Sequence, residues 1–115
     1  MRRFGLAVAV GAMALGAVLA VQRVRTEAEY RRLIAAGDAA LADGRIYPAI
    51  EAFSGALAFR PGSMVAYLRR GEAYLRQESL DAAARDLATA AQLDPHATQP
   101  LERLGDVALA RGDHA

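Results

Sequence analysis

The chain has 115 residues, room for one small domain, with 14 basic against 13 acidic side chains and a formal net charge of +1. It contains no Cys, and every basic side chain is Arg. Disulfide, thiolate-metal and lysine Schiff-base chemistry are thereby excluded, and the charge balance lacks the clustered positive excess on which nucleic-acid binding rests.

Met1-Arg2-Arg3 precedes Phe4 to Val21, an unbroken run without a polar or charged side chain, and Gln22-Arg23-Val24-Arg25 follows it. As a helix the run covers roughly 27 Å, close to the ~30 Å hydrocarbon core of a bilayer. Its length and the flanking Arg residues suit a single-pass signal-anchor. A signal peptide cleaved near Ala20 is the alternative and leaves an exported soluble chain. Arg2 and Arg3 beside the chain start favour an N-terminus in the cytoplasm and the remaining chain outside it. Residues 1–21 are therefore read as a transmembrane or signal segment, with membrane contact through residues 4–21, and residues 22–29 as a short linker.

The remaining sequence repeats itself at one constant offset: Gly37 maps onto Gly71 and Gly105, Ala49 onto Ala83, Phe53 onto Leu87, Ala56 onto Ala90, and Pro61 onto Pro95. A period of this size predicts an all-α solenoid in which each unit stacks its apolar face on the next. Each unit reads as two helices. Thr26 with Glu29 forms a capping-box pattern for the first, which carries Leu33, Gly37, Ala40 and Leu41 and stops at Asp43-Gly44. A second begins near Ile46, tolerates Pro48 in its first turn, presents Ile50, Phe53 and Leu57, and ends before Arg60-Pro61-Gly62. Ser63 caps a third, which carries Tyr67, Gly71, Tyr74 and Leu75 and breaks around Gln77 to Ser79. Leu80 to Leu93 form the fourth, and a fifth runs from about Gln99 to a stop at Gly112. Gly at the centre of each first helix and Ala in each second one remove bulk where helices cross.

These residues resemble the tetratricopeptide repeat, a helix-turn-helix of roughly 34 residues. The pattern is carried in residues 30–63 by Leu33, Ala36-Gly37, Ala40, Ala49, Phe53, Ala56 and Pro61. In residues 64–97 it is carried by Tyr67, Arg70-Gly71, Tyr74, Ala83, Leu87, Ala90 and Pro95, and in the partial unit 98–115 by Leu101, Leu104-Gly105 and Ala108. Ala40 and Arg70 depart from the usual Tyr and Leu. The fold expected is a tandem helix-turn-helix solenoid over residues 30–115, preceded by one hydrophobic helix. The abrupt end of the third unit suits the N-terminal piece of a longer protein, or a fifth helix that acts as a cap.

The resemblance implies a concave groove, lined by the first helix of each unit, that binds a peptide or protein segment. Positions 2, 5, 9, 12 and 13 of each unit are the candidates: Arg31, Ile34, Asp38, Leu41 and Ala42; Val65, Leu68, Glu72, Leu75 and Arg76; Gln99, Glu102, Asp106, Leu109 and Ala110. Asp38, Glu72 and Asp106 recur at one position, which predicts a mildly acidic stripe beside Leu41, Leu75 and Leu109 and a partner with basic or neutral residues and an apolar anchor. Solvated face charges and inter-repeat packing are the bland readings of the same acids and leucines. Chaperone-binding members of the family clamp a carboxylate with Lys and Asn at positions held here by Ile34, Asp38, Leu68 and Glu72, so that route is not expected. Arg69 and Arg70 read as solvated, and Asp81 and Asp86 as exposed acids without a pocket.

His96 and His114 have no second ligand at metal spacing, and no nucleotide, phosphate or hydrolase motif occurs, so no metal, cofactor or enzymatic activity is expected. The expected function is a membrane-tethered protein-interaction scaffold. A self-associating homo-oligomeric assembly factor of the envelope, stacking through the apolar end near Leu101 to Leu109, is the alternative. The regulatory front end of a longer protein is another.

Overall fold

The computed structural model describes residues 2–112, which form five helices: α1 (Arg2–Ala42), α2 (Ile46–Phe59), α3 (Met64–Arg76), α4 (Leu80–Leu93) and α5 (Gln99–Arg111). No strand occurs among the described residues. The residues Asp113-His114-Ala115, expected to belong to the turn leading into a second helix of the third unit, lie outside them.

The turns follow from local chemistry. After α1, Gly44 adopts a left-handed φ of 74°, and the amides of Gly44 and Arg45 donate to Leu41 O and Ala40 O at 3.1 and 2.8 Å. Those bonds satisfy the last carbonyls of the helix in a Schellman arrangement. The turn after α3 repeats it in the next unit: Glu78 and Ser79 donate to Leu75 O and Tyr74 O at 3.0 and 2.9 Å, with Glu78 at φ 60° where the preceding unit has Gly. Ser63 caps α3 as expected, its Oγ accepting from the Ala66 amide at 3.0 Å. Tyr30 Oη shares a 2.6 Å hydrogen bond with the same Oγ, which ties α1 to the turn between α2 and α3.

The crossings explain the small residues. Gly37 faces the ring of Phe53, and a Cβ there would lie 2.4 Å from Phe53 Cε1. Gly71 faces Leu87 in the same way, with a Cβ-to-Cγ distance of 2.8 Å. Phe53 and Leu87 are fully buried, as are Ala49, Ala56, Ala83 and Ala90 around them. Burial of each large side chain contributes about 1.5–3 kcal/mol, and the glycines are what allow the helices to approach closely enough for it. The core therefore runs as one series through the two helix pairs, with α5 packed on α4 through buried Val107 and half-buried Leu104.

Two expectations at the front of the chain change. Residues 22–29 are helical: α1 is one helix of 41 residues, so the first helix of the first unit continues directly from the apolar segment. Thr26 is no N-cap, because its Oγ1 donates to Gln22 O at 2.8 Å inside the helix, and Glu29 pairs with Arg32. Nothing between Val21 and Glu27 breaks helical geometry, and a cap is needed only where a helix begins. The apolar stretch has none of its surface buried against the repeats, and by length and composition it is sufficient to cross a membrane. This free rod gives the chain a 75 × 29 × 18 Å outline and a radius of gyration of 20.1 Å, against ~13 Å for a compact chain of this length.

Candidate functional site

The first helices α1, α3 and α5 stand side by side and present one common face. A chain of ion pairs runs across it. Arg69 of α3 lies with Nε 3.4 Å from Asp38 of α1 and Nη1 3.3 Å from Glu72, while Arg103 of α5 places Nε 3.2 Å from Glu72 and Nη1 3.1 Å from Asp106. The order across the face is Asp38, Arg69, Glu72, Arg103, Asp106. Glu72 at its centre is the most enclosed, its side chain 13% exposed, and hydrogen bonds to Glu72 and then Asp106 raise the pKa of Arg103 above its ordinary value.

The expected acidic stripe is interleaved with cations. The three acids do line up at the repeat period, but Arg69 and Arg103, themselves one period apart, sit between them and offset two of the three charges. Arg69, expected to be solvated, instead bridges two repeats. The readable signal is the recurrence of Arg three residues before each of the second and third acids, a spacing that places both on one helix face.

The expected leucine row also changes. Leu41 is 6% exposed and belongs to the core around Phe53, and Leu68 is 2% exposed beneath α4 and α5, so neither offers surface to a partner. Leu75 and Ile34 are half-buried against the same cores, whereas Leu109 is 66% exposed. Inter-helix packing accounts for Leu41, whereas Leu75 packs against the core and also borders a pocket on the common face. Of the remaining candidates, Arg31 is exposed and pairs with Glu27 at 3.1 Å, Glu102 is exposed, and Arg76 donates from Nη1 to Leu41 O at 3.0 Å. Among the described residues, Arg76 has no carboxylate partner. It borders a pocket of about 280 Å³ together with Glu72, Leu75, Arg103 and Asp106.

Behind this face, Arg70 and Asp86 form a bidentate pair at 2.6 and 2.8 Å, and Arg70 Nη1 reaches Ser54 Oγ of α2 at 3.2 Å. Asp86 is buried, not exposed as its sequence setting suggested. The Asp86 carboxylate raises the Arg70 pKa, which keeps the guanidinium charged in a half-buried site. At the other end, Arg60 lies over the Tyr30 ring at 4.0 Å and pairs with Glu27, whose carboxyl is held below its ordinary range chiefly by that hydrogen bond. No cluster of His, Asp or Glu suited to a metal occurs among the described residues.

No family model matches the chain. Its structure is similar to the Sgt2 TPR domain from Aspergillus fumigatus, with a TM-score of 0.71 and 28% identity over 74% of this chain and 56% of that one. It therefore spans little more than half the length of that structure. It is also similar, at TM-score 0.71 and 22% identity over 74% of this chain and 69% of that one, to the first TPR of Spaghetti (RPAP3) bound to the HSP90 peptide SRMEEVD. The helix pairs of this chain accordingly have a tetratricopeptide-type fold, a tandem helical repeat.

Proposed function

We propose that the chain is a non-catalytic protein-interaction scaffold held on a membrane by residues 4–21, with its N-terminus in the cytoplasm and the repeats outside it. The observation that carries the scaffold reading is the continuous face of α1, α3 and α5, with its pocket beside Leu75, Arg76 and Arg103. The similar RPAP3 domain holds a peptide, which supports a peptide or protein segment as the ligand here. The charge row makes that ligand different from the basic segment that an open acidic stripe would attract. Each acid already has an Arg partner, and Arg76 beside the row offsets the one acidic charge left over, so a segment of low net charge fits best. It would insert one apolar side chain beside Leu75 and place a hydrogen-bond acceptor on Arg76. The exposed apolar rod supports the membrane reading, since an unburied stretch of this kind in water costs about 25 cal/mol per Å² of apolar surface.

The test places a photo-crosslinking amino acid at Arg76 or Gln99 on the common face and at Glu51 or Arg85 on the exposed backs of α2 and α4, in chains expressed in native membranes. Discrete adducts from the first two positions and none from the others are expected. Adducts distributed equally between the two sets would refute the groove.

A further inference from the structure

A pocket of about 490 Å³ opens between α2 and the turn that joins α3 to α4. One face of α2 supplies Tyr47, Glu51 and Ser54, at the spacing that brings residues of a helix into one line, with Ile50 beside them. Tyr74 and Gln77 of α3 and Ser79 of the turn close it from the other side. The Arg70–Asp86 pair anchors both walls: Arg70 donates to Ser54 Oγ at 3.2 Å and lies 6.0 Å from the centre of the Tyr74 ring. Arg70, Tyr74 and Gln77 follow one line of α3, whereas Arg69, Glu72 and Arg76 of the ion-pair face follow another, so the pocket is separate from the groove.

Repeat packing does not account for this lining. Residues that pack the helices recur one period on, as Ala49, Phe53 and Ala56 do in Ala83, Leu87 and Ala90. The pocket residues do not recur: Tyr47 is matched by Asp81, Glu51 by Arg85, Ser54 by Ala88, and Tyr74 by Ala40 and Ala108. Tyr47 is 70% exposed, so its ring contributes little to the core. The polar groups are also uncommitted. Ser79 stands at the N-cap of α4 without a side-chain capping bond, and Glu51 has no Arg partner among the described residues. Two aromatic rings and an aliphatic side chain thus share a concavity with a carboxylate, hydroxyls and an amide, within the ~300–1,000 Å³ usual for small-molecule sites.

We infer that this pocket binds a saccharide, a pyranoside with equatorial hydroxyls. Such a ring has flat C–H faces and a rim of hydroxyls, each of which both donates and accepts. The faces match the Tyr47 ring and Ile50. The rim matches Glu51, which only accepts, and Gln77, Ser79 and the Tyr74 hydroxyl, which do both. A small organic cation is the other ligand that rings and a carboxylate suggest. It fits less well, because Arg70 already lies near the Tyr74 ring and against Ser54, and would repel a second cation there.

The experiment titrates the full chain in nanodiscs with cellobiose and follows binding by saturation-transfer nuclear magnetic resonance, with tetramethylammonium as the second probe. Saturable cellobiose binding with a Kd of about 1 mM is expected. Tyr47→Ala and Glu51→Gln should each weaken it roughly fivefold or more, Tyr47→Phe should keep it within about twofold, and Arg85→Ala, one period from Glu51, should leave it unchanged. All three positions are exposed, and far-ultraviolet circular dichroism should show every variant folded. Absence of cellobiose binding up to about 20 mM, or binding that either Tyr47→Ala or Glu51→Gln leaves unchanged, would overturn the inference. Tighter binding of tetramethylammonium, lost with Glu51→Gln, would also overturn it, by assigning the pocket to an organic cation.

Discussion

Gly37, Gly71 and Gly105 occupy equivalent positions with different surroundings, and their substitution separates packing from helix propensity. Gly37→Ala sets a methyl 2.4 Å from the Phe53 ring, and Gly71→Ala sets one 2.8 Å from Leu87 Cγ. Each should destabilise the repeats by about 1–3 kcal/mol in urea denaturation. Gly105→Ala meets nothing and should instead stabilise by about 0.5–1 kcal/mol through helix propensity. Glu78 is the inverse case, a residue with a side chain at φ 60° where Gly44 and Gly112 hold the equivalent turns. Glu78→Gly should raise stability by up to ~1 kcal/mol, measured in the same way. Arg70→Ala leaves the Asp86 carboxylate buried without its partner. It should cost about 2–3 kcal/mol, below the loss for a fully buried pair because the Arg70 side chain is 21% exposed.

At the scale of the elements, the turns and knobs were legible because Gly, Pro and Ser mark them at fixed intervals. The bounds of α2 to α5 coincide with the expected breaks at Gly44, Pro61, Ser79 and Gly112. The start of the first repeat was not legible. Thr26 and Glu29 form a capping pattern that is compatible with a helix interior, and no breaker stands between Val21 and Glu27 to end the preceding helix. The charge row was half legible: the period aligned Asp38, Glu72 and Asp106, and Arg69 and Arg103 stand three residues before the second and third of them, but the bridges from Arg69 to Asp38 and from Arg103 to Glu72 require the lateral distance between helices, which a single-chain pattern does not contain. Continuity of α1 has a mechanical consequence. Val24→Pro should break the rod in a segment that touches nothing else, leaving the melting of the repeats unchanged while broadening spin-label distances measured across residues 15 and 42. The link of Glu27 to Arg60 strengthens the base of the rod. Because Glu27 titrates below the ordinary value of 4.5 in the folded chain, its stabilisation is complete above that pH and is lost as the pH falls through the lowered value. The difference in melting temperature between the chain and Glu27→Gln should therefore disappear at low pH.

For the whole molecule, a free apolar rod joins a small repeat stack without a flexible joint. On the proposed membrane reading, the repeats are held at a fixed attitude to the bilayer, with the α1–α3–α5 face available to a partner. The measurement that tests this most directly combines alkaline carbonate extraction of native membranes with the intact mass of the extracted chain. A membrane-retained species that still contains residues 1–21 is expected. A soluble species beginning at Val21 would contradict the tethered scaffold, because the rod would then be absent from the working protein.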